Sequence, residues 1–261
     1  MNATVDNMAR LIAFVFFLLS MGAFFIVMTN VFRRRWEEPS GHTFARIPPL
    51  HLSHTAAGLA LIVFSAVALI DMRYAFSVGA VLASFVGCSI AGKNPVEALR
   101  LNRPNLRQVS LIPLVAYFAT MPMLIGGSMI SQGVCRMAGV PFEPQALLQF
   151  FWTLKTPRDI FFFFVMASVV APMAEEIFFR GYLYPWFQSF LPRWGAAVAC
   201  SFLFALVHLH LPVFLPLFIL STALLLVYEY SGSLWSSIIF HSFFNTMTLM
   251  LALFAPKLLK S

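Results

Sequence analysis

The chain has 261 residues, of which 60% are hydrophobic and only 10% charged, with a mean hydropathy of +0.84. A soluble domain carries about a quarter of its residues as charges, so a water-soluble globule is excluded; the 30 Phe and 13 Met must largely face lipid. The net charge of +7 comes from short basic clusters between long apolar runs, which is the pattern of membrane topology rather than of nucleic-acid binding.

With roughly 20 apolar residues per crossing, the sequence predicts an all-α, polytopic transmembrane bundle of about eight helices. In chain order they are Leu11–Phe32, Leu52–Ile70, Tyr74–Ala91, Val109–Ile130, Asp159–Tyr184, Gly195–His210, Val213–Tyr228 and Leu234–Phe254. The first run is closed by Arg33, Arg34 and Arg35 and has no small-residue cleavage site, so it reads as a retained anchor. The sixth and seventh are short and separated by little more than Leu211 and Pro212, which leaves a merged or re-entrant pair open. Between the fourth and fifth, residues 143–158 carry Glu143, Gln149, Lys155 and Arg158 and read as an amphipathic segment lying along the interface. Residues 1–155 thus form an N-terminal transmembrane region without an assigned role, and residues 156–261 a second region that holds the unusual polar groups.

Arg33, Arg34, Arg35 and Arg46 in one loop, and Lys93, Arg100, Arg103 and Arg107 in another, flank a turn that has only Arg73. Both rich loops are expected on the cytoplasmic side of an integral, multi-pass plasma-membrane protein, with both termini outside; Arg136, Lys155, Arg158, Lys257 and Lys260 then fall on the opposite side. Cys88, Cys135 and Cys200 are scattered and predict neither a disulfide framework nor a thiolate zinc site.

A charged residue at the centre of a membrane helix costs about 2.5–3.5 kcal/mol on insertion, and the fifth run contains three, Glu175, Glu176 and Arg180. Glu176 and Arg180 are four apart with the acid N-terminal, the favourable order for an ion pair on one helix face. Glu175 points about 100° away and has no partner nearby in sequence. A carboxylate so placed either takes up a proton or finds a partner on another helix, and it is the group a general base would be built from. Pro172, one turn before, lacks an N–H and in α-helical register frees the carbonyl of Ser168, which predicts a kink that admits water. The sixth run supplies Phe204 and His208, and the eighth His241 and Asn245, which share a face. Counted from a turn near Pro192, Glu175 lies about 17 residues before and His208 about 16 after, hence at similar depth; His241 enters from the same side by roughly 15 Å. Each group alone has a structural explanation, as a helix-bracing pair or an interhelical hydrogen bond. Their concentration in three crossings points to a site. His210, beside Pro212, reads as interfacial; His42, His51 and His54, in or at the edge of a loop, and Glu229, at a helix end, carry no functional signal.

The set Glu175-Glu176-xxx-Arg180, Phe204-xxx-His208 and His241-xxx-Asn245 resembles the CAAX protease and bacteriocin-processing (CPBP, or Abi) family, which includes the type II CAAX prenyl endopeptidases. The resemblance covers roughly residues 156–255 and implies an intramembrane endopeptidase whose site opens to the cytosol and the lipid. It implies that Glu175 activates water, that His208 helps to hold that water, that Glu176 and Arg180 order the helix and the acid, and that His241 and Asn245 face the developing oxyanion. The implied partners are the bilayer and a membrane-tethered peptide substrate: a prenylated CAAX terminus, a leader or a sorting peptide.

Family members are often described as metalloproteases, and Glu175, His208 and His241 could supply three zinc ligands with an open fourth position. The chain has no HExxH, and a base that ligates the metal loses basicity, so a site requiring no cofactor is the favoured expectation and zinc the alternative. Ser237, four residues before His241, allows a Ser-His nucleophile that would leave both Glu and His208 idle. Outside enzymes, the same groups could serve a transporter as an ion relay or persist in a non-catalytic scaffold; no internal repeat of the kind transporters show is visible.

Overall fold

Apolar runs bounded by Pro, Asn and Gly become helices where the expected stops fall. The computed structural model describes residues 72–255, apart from 91, 93, 103, 142 and 189; the runs Leu11–Phe32 and Leu52–Ile70 and the basic loop 33–51 lie outside the described residues. Among the described residues all regular structure is helical. The elements are α1 (Met72–Ile90), α2 (Leu111–Met137), the short α3 (Ala146–Phe151), α4 (Pro157–Phe187), α5 (Arg193–Val207), α6 (Phe214–Ser231) and α7 (Leu234–Phe254). Six of the expected helices fall on this region and each has its counterpart. Four segments, Leu106–Met137, Pro157–Phe187, Leu211–Ser231 and Leu234–Phe254, are long and apolar enough to cross a membrane.

The expected sixth helix, short by its residue count, is found as α5 with its bounds shifted toward the N-terminus. It has 15 residues, a rise of about 22 Å, short of a hydrocarbon core of about 30 Å. It ends at His208, and Leu209 follows with φ +49°, a left-handed conformation that is uncommon for a branched side chain. A single 3-10 turn, Leu211–Val213, then enters α6. The two helices are therefore separate, and the chain reverses beside a site residue.

Helix α2 supports that reversal. Ser131 Oγ donates to the carbonyl of Pro212 at 2.6 Å, and Gly127 lets α2 and α6 approach so closely that a Cβ there would meet Ile219 Cδ1 at 2.6 Å. At the opposite end of α6, Gly232 takes φ +69° and the chain turns into α7. The loop after α1 packs over this turn: Trp235 Nε1 donates to Leu101 O, Gln108 Nε2 to Ser231 O and Ser236 Oγ to Gln108 O. Cys88, Leu99 and Leu124 share one buried core with Ile177, Phe204, Leu224 and Phe240, so packing is continuous across residue 155.

Segment 143–158 docks rather than only lying flat. Phe151 joins a smaller buried cluster with Ala167, Leu249 and Ala252, and Trp152 Nε1 donates to Ala252 O at 3.0 Å. Thr156 then caps α4, its Oγ1 accepting from Asp159 N, with Pro157 in the first turn, where a missing N–H is harmless.

Candidate active site

Helix α4 is not uniformly α-helical. It winds as a π-helix over Met166–Val170, returns to α over Ala171–Glu176, and widens again over Ile177–Leu183. Each π stretch is followed at its second residue by proline, Pro172 and Pro185. Proline cannot complete the i→i−4 ladder and crowds the preceding turn, and a wider turn relieves both. Such bulges gather at functional sites, and here the α stretch between them carries both glutamates. The π winding reaches the residue before the proline: Ala171 N–H donates to Met166 O, five residues back, and in that register Pro172 would stand opposite Ala167 O, whereas the α stretch that follows sets it opposite Ser168 O.

Glu176 is fully buried and saturated with donors. Arg180 Nη1 reaches Oε1 at 2.7 Å and His241 Nδ1 the same oxygen at 2.9 Å, while Ser237 Oγ donates to Oε2. Arg180, also fully buried, anchors its other arm on Ser221, with Nη2 at 3.0 Å from the carbonyl and 2.8 Å from Oγ. The pair that the i,i+4 spacing predicts is present, and a buried pair needs such further hydrogen bonds to offset desolvation. Because the carboxylate only accepts, His241 Nδ1 carries the proton of that bond, and Nε2 is left to face elsewhere.

It faces Glu175. His241 Nε2 lies 3.9 Å from Glu175 Oε2, too far for a direct hydrogen bond. Oε2 is buried and accepts no hydrogen bond from the protein, while the side chain as a whole is 17% exposed. The two adjacent glutamates are thus differentiated: one is enclosed by donors, the other lies bare at the edge of a gap.

Phe204 joins the histidines. It is fully buried, with ring centroids 4.9 Å from His208 and 5.8 Å from His241, and the Arg180 guanidinium 4.7 Å from its ring. His208, the C-cap of α5, donates Nδ1–H to Phe204 O at 2.7 Å, leaving Nε2 as the nitrogen free to accept. The sequence placed Phe204 in a motif without assigning it a contact; the structure makes it the surface on which both imidazoles rest.

Asn245 Nδ2 donates to Ala167 O at 2.8 Å. Ser237, His241 and Asn245, four residues apart in turn, therefore all donate from one face of α7 to α4. The Ser-His reading finds Ser237 aimed at the Glu176 carboxylate and the carbonyl of Leu224, not at His241. For zinc, no group of three His, Cys, Asp or Glu side chains among the described residues gathers as a metal site; Glu175, His208 and His241 do not fit one as they stand.

A second buried acid was missed. Glu229, which the sequence left without a role at a helix end, is buried, accepts from Tyr184 Oη at 2.7 Å and pairs with Arg193, tying α4, α5 and α6. Its partners lie 36 and 45 residues away, beyond any local spacing rule. Cys88, Cys135 and Cys200 are buried, and no disulfide joins them.

Comparison of the chain with curated proteins and with solved structures gives no match. One family model does match, and it covers the stretch from the start of α4 to near the end of α7. Residues 157–247, which include Glu175, Glu176, Arg180, His208, His241 and Asn245, are similar to the family described as Rce1-like, Type II CAAX prenyl endopeptidase Rce1-like.

Proposed function

We propose that the chain is an intramembrane endopeptidase that hydrolyses a peptide bond of a membrane-tethered substrate with water activated by Glu175. The observation that carries this reading is the bare Oε2 of Glu175, buried and 3.9 Å from His241 Nε2; the family similarity over the same helices supports it. Glu175 takes the proton of a water held in the gap, His208 Nε2 helps to orient that water, and Glu175 then returns the proton to the amine nitrogen as the C–N bond breaks and the oxyanion collapses to the carboxylate product. His241, braced through Nδ1–H by Glu176, acts on this reading in its doubly protonated form and so presents Nε2–H as a donor to the oxyanion that forms when the water attacks the carbonyl. A base within hydrogen-bond reach of its water and a donor where negative charge develops are what amide hydrolysis requires. Glu176, Arg180, Ser237 and Ser221 keep the imidazole fixed and do not touch substrate.

The reaction needs no cofactor on this reading, and the substrate is a lipid-anchored peptide such as a prenylated CAAX terminus or a leader or sorting peptide. The site opens toward the cytoplasm of a plasma-membrane protein, the side assigned by Arg100 and Arg107. The test is cleavage of a membrane-tethered peptide by purified wild type, Glu175→Ala and His208→Ala, with and without chelator. Both variants are expected to lose at least about 10²-fold in rate, and chelation to leave wild-type cleavage intact. Normal cleavage by both variants would return the polar cluster to a transport or scaffold role, and loss on chelation with rescue by zinc alone would make the site a metal site.

A further inference from the structure

We infer that Asn245 is a positioning residue, whose amide holds the π-wound turn of α4 by taking the carbonyl that Pro172 leaves without a backbone donor. The inference rests on the endopeptidase reading, because what the turn positions is Glu175. In the π register Ala171 N–H donates to Met166 O; one residue further, the same register would give the N–H of residue 172 to Ala167 O, and proline has none. Ala167 is buried, and a buried carbonyl without a donor is destabilising. Asn245 Nδ2 supplies the donor at 2.8 Å from another helix, 78 residues away in sequence.

The consequence reaches the chemistry from both sides. Glu175 follows Pro172 by three residues, so the rotation of the held turn sets where its carboxylate points. On α7, Asn245 stands one turn beyond His241, and that ring is fixed on Glu176 at 2.9 Å. The amide therefore ties the turn that aims the acid to the helix that carries the imidazole, and it fixes the gap between them. Proline and asparagine form one device: the first breaks the ladder, the second closes the break from outside.

A double-substitution cycle tests this, using wild type, Asn245→Leu, Pro172→Ala and the double variant of the full chain purified in detergent. The readouts are kcat and KM on a membrane-tethered peptide and the thermal midpoint. Asn245→Leu keeps the branching and heavy-atom count of the side chain and removes the donor; it is expected to lower kcat about ten- to a hundredfold, with KM little changed, and to lower the midpoint. Pro172→Ala restores an N–H that can take Ala167 O. On that background the added loss from Asn245→Leu is expected to fall to about threefold or less, and the midpoint to recover. Should Asn245→Leu fail to fold, its rescue by Pro172→Ala supports the device, and failure of the double variant to fold overturns it. Equal losses on both backgrounds, in kcat or in the midpoint, overturn it too, since Asn245 would then act without the carbonyl. If wild type cleaves nothing, the endopeptidase reading fails by itself and the midpoints still decide the coupling.

Discussion

Two neighbouring glutamates in one membrane helix do different things because successive helical residues face different directions. Glu176 looks inward, where Arg180, His241 and Ser237 converge on it; Glu175 looks to the edge, where nothing donates to its Oε2. Ser237 belongs to the enclosure. Ser237→Ala removes one of three donors from a buried carboxylate, and a hydrogen bond to a charged group is worth about 1.5–3 kcal/mol. The variant is expected to have a lower thermal midpoint and to keep cleavage within about tenfold of wild type. Abolished cleavage at an unchanged midpoint would show that Ser237 is itself the nucleophile.

At the scale of the elements, α4 is the piece on which the others are assembled. Its two π turns, ahead of Pro172 and of Pro185, rotate it, α7 is tied along it by Ser237, His241 and Asn245, and α1 lies against its second π stretch. Gly87 of α1 is there because Tyr182 is: a Cβ would meet Tyr182 Oη, Cε2 and Cζ at 2.6, 2.7 and 2.9 Å. A buried ring cannot step aside as a side-chain tip can, so Gly87→Ala is expected to cost about 1–3 kcal/mol by overpacking. Gly127→Ala, which meets only the end of Ile219 within 3 Å, gains back about 0.8–1.0 kcal/mol in helix propensity and is expected to be near neutral. Thermal midpoints of the two variants check the contrast, and a larger loss at Gly127 would contradict it. The helices were legible in the sequence as apolar runs and Pro or Asn boundaries, and the Glu176–Arg180 pair as an i,i+4 spacing. The π winding was not, because Pro172 announces a break in the ladder but not which register absorbs it. The shortness of α5 was legible as well, but its end at His208 was not, since the apolar run continues past it through a turn that only the backbone reveals.

For the whole molecule, polar residues far apart in sequence meet at few places. One is the site, where α4, α5, α6 and α7 each contribute, through Glu175 and Glu176, Phe204 and His208, Ser221, and His241. Another is the Tyr184–Glu229–Arg193 tie, invisible to spacing because its members come from three helices. The count from the turns placed Glu175 level with His208 and His241 nearer its own turn, so neither the 3.9 Å separation of Glu175 and His241 nor the shared Phe204 ring could be read from it. The central assignment is that the bare acid does the chemistry and the enclosed one holds the fold. Its most direct test compares Glu175→Gln with Glu176→Gln, both purified in detergent, by cleavage rate on a membrane-tethered peptide and by thermal midpoint. The assignment predicts that Glu175→Gln loses about 10²–10⁴-fold in rate with the midpoint unchanged, and that Glu176→Gln, which breaks a buried pair, lowers stability by about 3–5 kcal/mol. Normal cleavage by Glu175→Gln, or a stability loss at Glu175 in place of Glu176, would contradict it.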